Sequence, residues 1–116
     1  GDINPLSVRR ILKTTVVICT RRRPVLLRQC LSAVAHLDPA PTQVIVVDNS
    51  PQGDGDTEKV AREFGARYTH EPKAGLSHAR KRGLDECDTD AVAFLEDDAI
   101  PQPNWLLSSI REKSTV

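Results

Sequence analysis

The stretch AVAFLEDD, residues 91–98, decides the fold, because five apolar residues run directly into three acids. An unbroken apolar run of about five residues is typical of a strand that is buried on both faces, as in parallel sheets. In an open parallel sheet, ligands bind beyond the carboxyl ends of the strands. We therefore expect Glu96, Asp97 and Asp98 to face a binding site.

The three acids suit a hard divalent cation. Two carboxylates about 6 Å apart repel each other by roughly 3 kcal/mol at an effective dielectric near 20, and a bound cation reverses that sign. Oxygen ligands alone favour magnesium, manganese or calcium, and magnesium usually takes one or two carboxylates together with phosphate oxygens. The alternative is an exposed acidic turn bounded by Pro101 and Pro103, since runs of charge are commonly just solvated.

Three other segments predict strands of the same sheet. Residues 14–20 and 44–47 are rich in β-branched and apolar side chains, and residues 67–70 form a weaker example. The first strand ends at Thr20, before three arginines at 21–23. The second ends on a polar cluster that consists of Asp48, Asn49 and Ser50.

Helical periodicity fills the intervals between these strands. A first helix is expected from Pro24 to Leu37, and a second from a cap at Asp56 or Thr57 to Phe64. A third is expected over 76–87 and a last one over 104–113. Strand and helix thus alternate four times, which predicts an α/β fold: a Rossmann-like parallel sheet of about four strands with helices on both faces.

Composition narrows the functional classes. Among 116 residues, sixteen basic and sixteen acidic side chains cancel, so nothing favours a nucleic-acid binder held by overall charge. No apolar stretch approaches the roughly 20 residues that span a bilayer, and the N-terminus lacks the apolar region of a signal peptide. We expect a cytoplasmic location, with any membrane association left to other parts of a full-length protein. Cys19, Cys30 and Cys87 have no metal-ligand spacing and are expected to be buried thiols.

The polar ends of three predicted strands should meet along one edge of the sheet. A basic loop beside an acid cluster is what a diphosphate needs, because a cation bridges phosphate oxygens while Arg or Lys neutralises the remaining charge. An acid at the end of a neighbouring strand can accept hydrogen bonds from a ribose or a base. Neither Gly-x-Gly-x-x-Gly nor a P-loop is present, which counts against a dinucleotide dehydrogenase and a P-loop NTPase.

With these motifs in this order, the sequence resembles the family-2 glycosyltransferases of GT-A fold. The resemblance covers roughly Thr14 to Leu106 and rests on the strand and turn at 16–24, VVDNS at 46–50, GLSHAR at 75–80 and FLEDD at 94–98. It implies the N-terminal half of a GT-A domain. It also implies the family's activity, in which a sugar passes with inversion from a nucleotide diphosphate donor to an acceptor hydroxyl.

The resemblance implies nucleotide-binding roles for five residues. Thr20 and Arg22 correspond to the first loop, which lines the nucleoside pocket, and Asp48 to the acid that contacts the base or ribose. Lys73 lies near where a basic residue can reach the diphosphate. Asp97 is the neighbour of the expected metal ligand.

The implied metal is Mn²⁺ or Mg²⁺ at the family's D-x-D motif. Asp98 corresponds to the last acid of that motif, the metal ligand, and Glu96 takes the first position, where Asp is usual. No motif places a catalytic base, which the family supplies in its acceptor half. We therefore expect the base beyond Val116 and expect the isolated chain to be inactive.

The ends of the chain suggest a fragment. The sequence begins with Gly1 and contains no methionine, and residues 1–13 are expected to be a leader or linker before a partial GT-A domain over 14–116. An end before the acceptor half would leave the fourth strand with an open edge. Because open edges invite pairing, we expect this chain to associate with a second copy.

Other functions remain open at this point. A sugar nucleotidyltransferase has a similar sheet and metal site, but its first loop is rich in glycine, which residues 20–24 lack. A phosphatase of the aspartyl type needs a nucleophilic Asp where this chain has Cys19 and Thr20. A non-catalytic binding module is also consistent with the pattern, with Asp48 to Ser50 as a simple turn and the arginines at 21–23 and 80–82 as solvated surface.

Overall fold

The computed structural model describes residues 13–113, and they form a five-stranded sheet with helices on both faces. The strands are β1 (Thr14–Thr20), β2 (Gln43–Asp48), β3 (Arg67–His70), β4 (Ala91–Glu96) and β5 (Arg111–Glu112). The helices are α1 (Pro24–Val34), α2 (Gly55–Glu63), α3 (Leu76–Glu86) and α4 (Trp105–Ser109). The predicted leader lies outside the described residues, apart from Lys13. The predicted α/β class is confirmed.

The sheet has the order β3-β2-β1-β4-β5. The first four strands are parallel and only β5 is antiparallel. In register, Thr20 pairs with Asp48 and Cys19 pairs with Glu96. This register brings the polar ends of β1, β2 and β4 to one edge of the sheet, as the sequence predicts.

Apolar side chains cover both faces of the sheet. On one face, α1, α2 and α4 pack over a cluster that includes Val16, Ile18 and Leu27. On the other face, α3 packs over a smaller cluster that includes Val17, Ile45 and Val47. Strand β1 contributes to both clusters and is buried throughout its centre, so it forms the middle of the hydrophobic core.

Two helices end earlier than their periodicity predicts. The first was expected to reach Leu37, but α1 ends at Val34 and the chain turns before Leu37, which is nevertheless buried. The second was expected to reach Phe64, but Phe64 follows the last residue of α2 and is 36% exposed. Gly65 follows with a φ of 71°, the left-handed conformation in which many helices end.

The helix predicted over residues 104–113 is wrong in its second half. Helix α4 stops at Ser109, and Arg111 and Glu112 pair with the first two residues of β4 as strand β5. The predicted open edge of the fourth strand is therefore covered at Ala91 and Val92. Between residues 13 and 113, no strand pairs with the outer edge of β4 from Ala93 to Glu96.

Candidate active site

A pocket of about 480 Å³ opens where β1 and β4 end. It is lined from four sides: the end of β1 and the turn after it, the acids after β4, the start of α3, and Asn49 after β2. Its residues are Val17, Cys19, Thr20, Arg21, Arg23, Asn49, Leu76, Ala79, Arg80, Phe94, Leu95, Glu96, Asp97 and Asp98. A pocket of this size, with few polar groups converging on one side, is typical of small-molecule binding.

Asp97 ties the two central strands together. The Thr20 hydroxyl donates to Asp97 Oδ2 at 2.8 Å, and Arg23 Nη1 lies 3.5 Å from Oδ1. Thr20 and Asp97 are only 4% and 8% exposed. Both carboxylate oxygens of Asp97 thus have partners from the β1 end, so Asp97 orders the acid turn more than it offers free ligand oxygens.

Glu96 and Asp98 present the available carboxylates of the pocket. Both residues are exposed, on either side of the buried Asp97. In the described part of the chain, no three His, Cys, Asp or Glu side chains are grouped so that they could hold a metal ion by themselves. These two carboxylates nevertheless fit a magnesium- or manganese-type cation, since such ions commonly take one or two protein carboxylates and fill the remaining positions with phosphate oxygens and water.

Arginines supply the positive charge at the pocket. Arg21 and Arg23 come from the turn after β1, and Arg80 comes from α3. The guanidinium of Arg80 lies over the ring of Phe94, 5.5 Å from its centroid. This is within the range of a cation–π contact, which holds the charge of Arg80 beside the pocket. The interpretation of 80–82 as solvated surface is therefore incomplete for Arg80.

Asp48 is buried and fully hydrogen-bonded by the protein itself. Its Oδ1 accepts bonds from the N–H and the hydroxyl of Ser50, at 2.9 and 2.7 Å, and its Oδ2 accepts bonds from the Asp54 N–H at 2.7 Å and the Tyr68 hydroxyl at 2.5 Å. Burial alone would raise the pKa of Asp48, but these hydrogen bonds outweigh burial and lower it. Burial and the hydrogen bond to Asp48 raise the pKa of Tyr68.

The thiols near the site are protonated at neutral pH. Burial raises the pKa of Cys19 to about 11 and that of Cys30 to about 12. Cys19 is part of the pocket wall, whereas Cys30 lies behind the acid turn, 3.5 Å from the carbonyl oxygen of Glu96. Since the thiolate is the nucleophilic form, neither cysteine is suited to covalent chemistry here.

The structure brings some of the predicted site residues together and leaves others apart. Thr20, Glu96, Asp97 and Asp98 line the pocket, as expected. Arg22, Asp48 and Lys73 are not among its lining residues. Their roles in nucleotide binding stay predictions.

The lining residues that were not assigned to the site from the sequence include Asn49, Leu76, Arg80 and Phe94. Arg80 and Leu76 belong to the GLSHAR segment, which was a usable signal. Nothing in the spacing of Phe94 distinguishes it from a core residue of β4.

Comparison with known proteins identifies the family. The sequence model described as "Glycosyl transferase family 2" matches residues 15–113, nearly the whole described chain. The chain therefore belongs to glycosyltransferase family 2. The resemblance found in the motifs is confirmed.

Individual relatives agree with this family. The chain is 36% identical over 101 residues to the succinoglycan biosynthesis protein ExoM of Rhizobium meliloti (strain 1021), covering 82% of this chain and 33% of that protein. The chain thus spans about a third of the length of this relative.

Solved structures share the fold. Glucosyl-3-phosphoglycerate synthase from Mycobacterium tuberculosis, in complex with Mn²⁺, UDP and glucosyl-3-phosphoglycerate, superposes with a TM-score of 0.66 at 21% identity, over 85% of this chain and 38% of that one. The mannosyltransferase PcManGT from Pyrobaculum calidifontis, in complex with GDP-Man and Mn²⁺, gives a TM-score of 0.65 at 21% identity, over 82% and 32%. At these identities the likeness shows the fold alone.

Proposed function

We propose that this chain is the donor-binding part of a glycosyltransferase and that it holds a nucleotide-diphospho-sugar through a divalent cation. The observation that carries the proposal is the pocket in which the exposed carboxylates of Glu96 and Asp98 occur together with Arg21 and Arg80. A metal-bound diphosphate requires both kinds of group, because carboxylates hold the cation and arginines neutralise the phosphate oxygens that the cation leaves free.

In our proposal, each of these pocket residues has a separate role in binding the nucleotide and the cation. Asp98 would hold Mn²⁺ or Mg²⁺, with Glu96 as the second carboxylate, and such a cation, when bound, would supply positive charge for the diphosphate leaving group. Thr20 and Arg23 keep Asp97, and with it the acid turn, in place. Leu76 and Phe94 add apolar side chains to the lining of the pocket.

The complete protein, in this proposal, transfers the sugar with inversion to an acceptor hydroxyl. The catalytic base comes from outside this chain. The solved structures of the similar proteins from Mycobacterium tuberculosis and Pyrobaculum calidifontis are complexes that contain Mn²⁺ together with UDP and GDP-Man, respectively. These complexes support a cation-dependent nucleotide site.

Calorimetric titration of the chain with UDP, GDP and TDP, each with and without MnCl₂ or MgCl₂, tests the proposal. We expect one of the three nucleotides to bind, and only when the cation is present. The nucleotide that binds identifies the nucleobase of the donor. Asp98→Asn should abolish the cation-dependent binding. Asp88→Asn is the matched control, because Asp88 is exposed, follows α3 and precedes the opposite end of β4.

The alternative functions predict different results in these titrations when the corresponding nucleoside triphosphates are titrated as well. Binding that needs no cation and survives Asp98→Asn would point to a non-catalytic binding module. Stronger binding of the nucleoside triphosphate than of the diphosphate would favour a sugar nucleotidyltransferase. If a folded chain bound no nucleotide under any of these conditions, the proposal would be wrong for this chain.

A further inference from the structure

Asn49 uses every polar atom of its side chain to hold the turn between β3 and α3. Its Nδ2 donates to the carbonyl oxygens of Glu71 and Lys73, each at 2.9 Å. Its Oδ1 accepts the N–H of Gly75 at 3.1 Å. Because Asn49 is only 8% exposed, water competes little with these three bonds.

The same turn is held at few other points. The N–H of Glu71 donates to the Asp48 carbonyl oxygen at 2.9 Å, and the Glu71 carboxylate accepts bonds from the Lys73 N–H at 2.9 Å and from Arg82 Nε at 3.2 Å. Gly75 has a φ of 128°, a conformation that residues with a Cβ rarely adopt. Of these contacts, only those of Asn49 reach both ends of the turn and its centre.

The turn carries groups that matter for an anionic ligand. Asn49 itself lines the pocket, and so do Leu76 and Arg80 of the helix that begins where the turn ends. Lys73 is exposed in the turn, and within residues 13–113 its ammonium forms no ion pair. Lys73 does not line the pocket itself, but a lysine on a flexible four-carbon stem can reach over several ångströms, provided that its backbone is held in place.

We propose that Asn49 is a positioning residue, which fixes the turn so that Lys73 meets the phosphates of a nucleotide bound in the pocket. The inference rests on the proposed function, since it needs a nucleotide diphosphate in that pocket. The inference adds to that function the residue that orients the turn between β3 and α3, and it says how this residue affects nucleotide binding. Asn49 acts through the backbone of the turn, and Lys73 supplies the charge.

The chemistry of the side chain explains why an amide is needed. In Asn49→Asp, a carboxylate oxygen would replace Nδ2 and face the carbonyl oxygens of Glu71 and Lys73 at about the same positions, so two attractions would become repulsions. Asn49→Ser removes both donors without adding charge. An effect of the new charge alone would therefore appear only in the Asp variant.

A double-mutant cycle tests the inference, with UDP, GDP or TDP and Mn²⁺ as the probe and calorimetry as the readout. We expect Asn49→Asp, Asn49→Ser and Lys73→Gln each to lower the affinity about tenfold, the size expected for one charged hydrogen bond. In the Lys73→Gln background, the uncharged substitution Asn49→Ser should cause little further loss. Asn104→Asp is the matched control, because Asn104 is exposed and its side chain makes no capping bond at α4.

Each outcome separates this inference from the proposed function. If the unmodified chain bound no nucleotide with Mn²⁺, the proposed function itself would fail. If it bound, but Lys73→Gln bound equally well or the losses of the two sites added, the positioning role would be overturned. Should both Asn49 variants fail to unfold cooperatively, Gly75→Ala takes their place, because it perturbs the same turn and should also show no further loss with Lys73→Gln.

Discussion

At the scale of single residues, Asp48 contributes to the stability of the fold because several hydrogen-bond donors surround its carboxylate. Four hydrogen bonds converge on a carboxylate with no exposed surface. In Asp48→Asn, the new amide nitrogen would face either the Asp54 N–H or the Ser50 N–H, leaving a buried donor unpaired. We expect a loss of about 3 kcal/mol in the free energy of unfolding, measured by urea denaturation. Tyr68→Phe removes one donor only and should cost about 1 kcal/mol; equal effects would contradict this account.

The lowered pKa of Asp48 also predicts how stability depends on pH. A carboxyl group whose pKa is lower in the folded than in the unfolded state stabilises the fold above its unfolded pKa, and this contribution is lost as the pH falls through the folded value. The free energy of unfolding should therefore decline below about pH 4, the ordinary carboxyl range. The decline should be shallower in Asp48→Asn. Parallel declines in both proteins would mean that other carboxylates control the acid transition.

Residue roles were predictable from the sequence only where chemistry and position coincide. The acids of residues 96–98 follow an apolar run, so their place at the pocket could be predicted. Asn49 and Arg80 lie in quoted motifs, but their contacts could not be predicted, because these contacts are made with backbone atoms and a ring that are distant in the sequence. Of the four hydrogen bonds to Asp48, three come from Ser50 and Asp54 in the loop that follows it, and only the bond from Tyr68 comes from a distant strand.

At the scale of elements, the contact between α3 and β1 predicts the effect of a single methyl group. A Cβ at Gly83 would lie 2.5 Å from Val17 Cγ1, closer than real Cβ atoms approach a neighbour. Alanine favours helices by about 1 kcal/mol over glycine, but overpacking costs about 1–3 kcal/mol. We expect Gly83→Ala to lower the thermal midpoint, and Val17→Ala, which removes the clashing methyl groups, to make the second substitution less costly.

Gly55→Ala provides the control for this helix contact. A Cβ at Gly55, the first residue of α2, meets nothing within 4 Å. Its thermal midpoint should stay unchanged or rise slightly. A Gly83→Ala protein as stable as Gly55→Ala would show that α3 can move away from β1 at little cost.

The secondary-structure elements with a clear apolar pattern could be predicted from the sequence, and the short strand β5, which has none, could not. Strands β1, β2 and β4 are apolar runs, and all three lie where the sequence places them. The error at residues 104–113 arose because a few apolar residues fit a helix, while the two-residue strand β5 exists only through its pairing with β4. Tertiary contact overrides local preference in so short a segment.

At the scale of the whole molecule, the open part of the β4 edge predicts association between copies. Strand β5 pairs with Ala91 and Val92, and the outer edge from Ala93 to Glu96 has no partner strand within residues 13–113. Unpaired edges of buried strands offer hydrogen-bonding groups to another chain. Because only four residues remain open, we expect association that is weak and concentration-dependent, with an increasing mean mass in sedimentation or light scattering.

The same edge lies beside the candidate site, so association and ligand binding should be linked. Phe94 and Glu96 belong to the open part of β4 and also line the pocket. A ligand that binds the single chain but not the paired one shifts the equilibrium toward the single chain by mass action. We expect the nucleotide that binds with Mn²⁺ to lower the mean mass at a fixed protein concentration. Mn²⁺ alone should not lower the mean mass. A mean mass that equals one chain at all concentrations would refute the association, and one that ignores the nucleotide would place the contact away from the pocket.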